Sequence, residues 1–390
     1  MFEKALKGNR AYWIWVAVLV LLAGAGVHGY RVQGAEGLAS TGMGVGAVWG
    51  IYNAQLPFLA GLAASALFIL VPERLMKQTG LSAAAPLSAF LAAVASAMSL
   101  LFLAAGFGMP SRIPTLFVNL SPSAPVSWYA PALLLYLLLS LGAGWSLLGA
   151  RRKGTTPPRW LRALVVVAVP VGLALPVIAA FMLAVMPTHG LWTSAMLAPR
   201  ILVSGLAAGM GLLLVMVVAM RRSAGAEEGR ELAGRLSGYT AMAGLASLCF
   251  VGLDAGTAFL GNLPSETYAL RLLYSDMARE ALPVAYVPFA GLPSVLLASG
   301  AVSVLLLFLP AVRRGNLLPA LAGLLIAVSA WFDRGPGLIL AGQATPGGGE
   351  VYAPALPDML VTIGIWAGGA LLLTALLKVT LSVRRERGMA

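Results

Sequence analysis

The chain has 390 residues, of which 59% are hydrophobic and only 10% charged, with a mean hydropathy of +0.89. A soluble domain carries roughly 25% charged residues, so this composition excludes an ordinary soluble enzyme and describes a polytopic helical membrane protein. The net charge of +12 is no sign of nucleic-acid binding here, because an excess of Lys and Arg in a membrane protein belongs to cytoplasmic loops.

The N-terminus, MFEKALKGNRAYWIWVAVLVLLAGAGVHGY, joins a basic start to an apolar core without a small-residue cleavage site, and reads as a retained first helix. Apolar runs of bilayer-crossing length then recur to the end. They predict ten spans, at 11–29, 50–72, 82–107, 129–149, 161–186, 199–220, 236–259, 284–310, 317–333 and 358–379. No connecting stretch is long enough for a separate soluble domain. The expectation is therefore one all-α integral membrane domain, residues 1–390, lying in the lipid bilayer.

Alternate loops differ in charge. Of the 26 Lys and Arg residues, 20 fall on one side, leaving Arg31, Arg112, Arg200, Arg271, Arg279 and Arg334 on the other. This asymmetry predicts that the basic side, with both termini, is cytoplasmic. The opposite, outer loops (about 30–49, 108–128, 187–198, 260–283 and 334–357) are long and rich in Gly, Pro and aromatic residues. One of them, ETYALRLLYSDMAREALP (266–283), sets Leu270, Leu273, Tyr274 and Met277 at helical spacing, as in an amphipathic helix lying on the surface.

Redox-ligand chemistry is sparse. The single cysteine, Cys249, cannot hold an iron–sulfur cluster or close an internal disulfide, and in its apolar segment it reads as a small core residue. His28 and His189 are the only two histidines. Walker motifs, zinc-ligand spacings and a nucleophile triad are absent from the sequence.

Several stretches together resemble a known family. TGMGVGAVWGIYNAQLPFLAGLAASALFILVP (41–72) resembles the second-helix region of the NrfD-like, polysulfide-reductase-type membrane subunits, and is most similar to the ten-helix branch in Hmc- and Dsr-type redox complexes. GFGMPSR (106–112) resembles that family's Gly-x-Pro-x-Arg turn, SPSAPVSWYA (121–130) its Ser-Trp start of the fourth helix, and LWTSAMLAPRILVSGLAAG (191–209) its Trp…Ala-Pro-Arg stretch. WFDRGPGLIL and YAPALPDMLVTIGIWAGGALLLTALLKV resemble its ninth and tenth helices.

The resemblance implies a quinone-interacting subunit of a respiratory electron-transfer complex that binds menaquinone non-covalently and holds no haem or iron–sulfur cluster itself. It implies an iron–sulfur ferredoxin-like partner on the outer face, a multihaem cytochrome c, and further membrane and cytoplasmic redox subunits. The implied setting is a bacterial cytoplasmic membrane in anaerobic respiration, sulfate reduction included. Three positions depart from the family pattern: Gly106 stands where relatives often carry an acid, GMGVGA (42–47) lacks an Arg-Asp pair, and SAAAPLSAF lacks a Glu. Asp333 and Asp358 remain at positions resembling family glutamates. The missing acids keep open a second reading, an anchor subunit without quinone turnover. A secondary transporter is a third, disfavoured by the few polar groups inside the spans.

The candidate site residues follow from chemistry. Asp254 is the one acid well inside a predicted span, and a carboxylate in hydrocarbon must be neutral, paired or facing a cavity. It is a candidate proton-relay or quinone-site acid, or a helix-packing group. His28 is a candidate proton donor to a quinone, a haem ligand, or an interface histidine. Asn53, Gln55, Trp49, Arg112 and His189 are candidate polar contacts, against packing, aromatic-belt and loop alternatives. Arg200 begins the uncharged run Ile201–Met220, at the end of the helix dipole that disfavours a cation. It either snorkels to water or lipid phosphate, or meets a fixed acid or ligand head group inside the bundle.

Overall fold

A computed structural model describes residues 8–43, 49–76, 79–108, 112–118, 120–186, 190–224, 227–274, 291–315, 317–343 and 352–388. Apart from single turns, its helices in chain order are α1 (Arg10–Glu36), α2 (Ile51–Ala64), α3 (Leu67–Arg74), α4 (Ala85–Gly106), α5 (Pro125–Lys153), α6 (Trp160–Ala184), α7 (Leu197–Ala224), α8 (Glu227–Leu260), α9 (Pro264–Tyr274), α10 (Leu292–Phe308), α11 (Pro310–Arg314), α12 (Leu318–Arg334), α13 (Pro336–Gln343) and α14 (Leu356–Gly388). The fold is an all-α polytopic bundle, without a strand among the described residues. Nine described segments are long and apolar enough to cross a membrane, α2 and α3 together forming one of them. The apolar α10 is shorter, and corresponds to the expected span 284–310, whose first residues lie outside the described set.

Helix composition sorts the layers. The span formed by α2 and α3, with α4 and α7, makes up the interior, whereas α1 and α8 lie mostly at the periphery. The interior helices are apolar all round and rich in Ala and Gly, which suits helices with neighbours on every side. α1 instead exposes Trp13, Ile14 and Leu21 as a lipid-facing surface would require. Cys249 corrects the expectation of a core position: it is exposed on α8, whose lipid-side face continues through it.

Two glycine pairs seat α7 at the centre. A Cβ at Gly61 of α2 would meet Gly205 Cα of α7 at 3.0 Å, and one at Gly323 of α12 would meet Gly211 Cα at 3.1 Å. Only glycine lets the backbones approach this closely, and such packing substitutes for the hydrophobic drive that lipid removes. α7 thereby contacts α2, α8 and α12, which brings residues far apart in sequence around its first turn.

Candidate functional site

The first turn of α7 carries Arg200, which is 5% exposed and points into the bundle. Its two terminal nitrogens meet different helices. Nη1 pairs with Asp254 Oδ2 of α8, and Nη2 donates to Asp333 Oδ1 of α12 at 3.3 Å. Of the two options the sequence left for Arg200, this is the fixed acid partner. The pairing also removes the dipole difficulty, since two carboxylates now compensate the cation.

Asp333 is the hub. Its Oδ1 also accepts from Tyr274 Oη at 2.8 Å, and its Oδ2 accepts from Arg334 Nε at 2.8 Å and from Arg334 Nη2. Adjacent helical residues do not normally face each other, but α12 ends at Arg334, and the side chain turns back there. Two arginines thus face two aspartates, and the buried cluster is neutral overall. Arg200 Nε and Arg334 Nη1 have no partner among the described residues. Tyr274 caps the cluster from α9, outside the spans. Burial first, then the Asp333 charge, pushes its phenol well above the ordinary value. A cavity of about 30 Å³ adjoins Asp333 between α8, α10 and α12, with Ser247 and Ser329 in its walls. That volume accommodates water.

A second place has the opposite character. A pocket of about 440 Å³ opens between α2, α4, α5 and α6, at the same end of the bundle. Leu103, Phe107, Val126, Met182 and Met186 make its walls largely apolar, and Trp49, Asn53 and Ser123 also line it. Trp49 Nε1 is buried without a hydrogen-bond partner among the described residues. The Asn53 side chain lies over Gly106, where a Cβ would stand 3.3 Å from its Oδ1. Gly106 lines the pocket as well, and the residues lining it carry no formal charge. Through Pro125 and Val185 the pocket adjoins an open groove of about 500 Å³, lined by Trp128 and Phe181 on the outer surface of the bundle.

The remaining candidates disperse. Gln55 is fully buried and satisfied: its Oε1 accepts from Trp331 at 2.7 Å and from Trp366 at 3.2 Å, while Nε2 donates to the Ile51 carbonyl at 3.1 Å. His28 is exposed on α1 and does not line the pocket. Arg112 is exposed in a turn, its carbonyl accepting from Thr115 Oγ1 at 2.5 Å. His189 lies outside the described residues. Asp358, in the first turn of α14, accepts from Tyr352 Oη at 2.7 Å and from Gly42 N–H at 3.0 Å. On the surface helix, Leu270 and Leu273 are buried as their spacing predicts, and Met277 falls outside the described residues. The roles of Tyr274, Trp366 and Met182 were not readable from sequence. Each is an ordinary apolar or aromatic residue until the partner helix is known.

An all-α bundle in which nine described segments are long and apolar enough to cross a membrane defines the class: a multi-pass membrane protein. The chain belongs to the polysulphide reductase NrfD family, whose model matches residues 39–307. It is similar to a putative dimethyl sulfoxide reductase membrane subunit of Halobacterium salinarum, with 26% identity over 419 aligned positions that cover 93% of this chain and 89% of the relative.

Proposed function

We propose that the protein is the quinone-binding membrane subunit of a multi-subunit oxidoreductase, with the quinone ring in the pocket at Trp49 and Asn53. The observation that carries this reading is a largely apolar pocket of about 440 Å³ with the side chains of Trp49, Asn53 and Ser123 in its lining, beside a buried Trp49 N–H that is unpartnered among the described residues. An orphaned buried donor costs free energy unless something accepts from it. A quinone carbonyl is such an acceptor. The volume lies within the range of about 300–1,000 Å³ typical of small-molecule sites, and the adjoining groove offers an isoprenoid tail a path to lipid.

A bound quinone supplies two-electron, two-proton chemistry. The chain's own residues bind and orient it: Trp49 donates to one carbonyl oxygen, the Asn53 amide supports the ring from α2, and Phe107, Met182 and Met186 exclude water. Electrons pass to or from redox partner subunits, in keeping with the name of the halobacterial relative. On this reading the partner is an iron–sulfur protein on the outer side, with a multihaem cytochrome c beyond it. Menaquinone in a bacterial cytoplasmic membrane is the form proposed. Asp254 serves as the counter-charge of Arg200 and holds α7 to α8, rather than exchanging protons with the quinone.

The test is to count quinone co-purifying with the protein in native-lipid discs. Wild type and His28→Ala are expected to retain it, and Trp49→Phe and Asn53→Leu to retain less, by roughly two- to tenfold for the loss of one hydrogen bond, while remaining folded. Undiminished quinone in both pocket variants would remove the site from this pocket. A redox complex purified intact but without quinone at this subunit would support the anchor reading instead.

A further inference from the structure

The basic end of the bundle holds a groove of about 620 Å³ between the start of α8 and the short α11. Arg230 and Arg235 stand on one wall, and Arg313 and Arg314 on the other, against a single described carboxylate, Glu231. That acid is spoken for, since Arg235 Nη2 donates to it at 2.7 Å. Arg313 Nε donates to the Leu307 carbonyl at 2.5 Å, and its guanidinium lies 5.9 Å over the Phe308 ring, which fixes it at the groove edge. Neither Arg313 nor Arg314 has a carboxylate within ion-pair distance among the described residues. Four arginines and one glutamate leave the groove strongly positive.

Its floor is bare backbone. A Cβ at Gly234 would meet nothing within 4 Å, and one at Gly238 would stand 3.5 Å from Arg313 Nη1. Following the same face of α8 toward the membrane, Tyr239 and Met242 are exposed by 44% and 64%. The order along the groove is guanidinium, then an amphipathic ring, then an apolar lane. A phospholipid has this order too: phosphate, glycerol ester, acyl chain.

We propose that this groove binds an anionic phospholipid, its two arginine pairs facing the two phosphates of a cardiolipin-type head group and its acyl chains lying along Tyr239 and Met242. Guanidinium forks match phosphate oxygens in bidentate geometry, and basic pockets between transmembrane helices are a recognised setting for such head groups. The proposal is independent of the quinone reading.

The experiment uses the full chain in phosphatidylcholine nanodiscs titrated with cardiolipin, with bound lipid counted by native mass spectrometry. Wild type is expected to retain cardiolipin. The double variant Arg313→Gln/Arg314→Gln should bind about thirtyfold more weakly, which is about 2 kcal/mol at about 1 kcal/mol per arginine. Gly234→Leu, which changes no charge, should also lose lipid by filling the floor. Should that variant fail to fold, the arginine pair decides alone. Equal cardiolipin retention by the double variant would overturn the proposal. So would an equal thermal shift from inorganic phosphate without lipid, or cross-links placing a protein partner over the groove in the native complex.

Discussion

The ion cluster below α9 and the pocket beside α2 lie at the same end of the bundle, yet they treat polar groups in opposite ways. Around Asp333 the donors converge from α7, α9 and α12 until both carboxylate oxygens are occupied. Around Trp49 an N–H is buried and, among the described residues, left unanswered. Such a network holds helices together, and although Arg200 Nε and Arg334 Nη1 stay open among the described residues, the cavity beside Asp333 is only about 30 Å³ and takes water rather than a ligand. An unsatisfied donor inside apolar walls is where a ligand gains most from binding. Chemical character at single positions therefore misleads. Arg200 and Gln55 look as ligand-like as Asn53 in the sequence, but their polar capacity is largely spent within the fold.

The sharpest way to break this contrast is to remove one charge from the cluster. Arg200→Met would leave Asp254 buried without its cation, and losing one partner of a buried pair costs about 3–5 kcal/mol. A large fall in melting temperature and poor recovery from detergent are expected, whereas Arg200→Met combined with Asp254→Leu should recover part of the loss. If the single variant melted like wild type, the structural role of the cluster would be refuted.

Gln55→Leu comes next. It would strand the indole N–H groups of Trp331 and Trp366, each unsatisfied donor costing about 1–3 kcal/mol. Thermal unfolding should report this, with quinone content per folded protein unchanged. A variant that kept its stability and lost quinone would move Gln55 into the ligand site.

Tyr274→Phe removes one hydrogen bond to a charged acceptor, for about 1.5–3 kcal/mol. Because the folded phenol titrates above its unfolded value of about 10, its contribution is complete below about pH 10 and is lost as the pH rises through the folded value. The wild-type and Phe variant melting curves should therefore differ by a constant amount at neutral pH and converge in strong alkali. Ultraviolet difference spectra showing Tyr274 ionised near pH 10 would contradict the packing around Asp333.

The smallest effect belongs to the pocket. Trp49→Phe keeps a six-membered aromatic ring and deletes the N–H with the pyrrole half of the indole, so stability should fall by only about 1 kcal/mol. One ordinary hydrogen bond of about 0.5–1.5 kcal/mol corresponds to roughly two- to tenfold weaker quinone binding. A quinone titration monitored by the quenching of tryptophan fluorescence would measure it.

By itself the sequence determined the membrane class, the helix positions and the oddness of Arg200. These rest on local quantities: hydrophobic length, the alternation of basic loops, and a cation at the wrong end of a helix dipole. Membership of the family was also legible, in an ordered set of short motifs. Only the tertiary structure decided which polar residues are spent and which are free. Asp254 is 54 residues from Arg200, and Asp333 is 133 residues away. No sequence pattern brings them together; the packing of α7 against α8 does so for Asp254, and its packing against α12 through Gly211 and Gly323 does so for Asp333. His28 and Asn53 were both candidates as side chains, but one is exposed on α1 and the other lines a pocket between four helices. The physical reason is that a span's period tells which residues share a face, while the neighbour on that face is chosen by packing across the whole bundle.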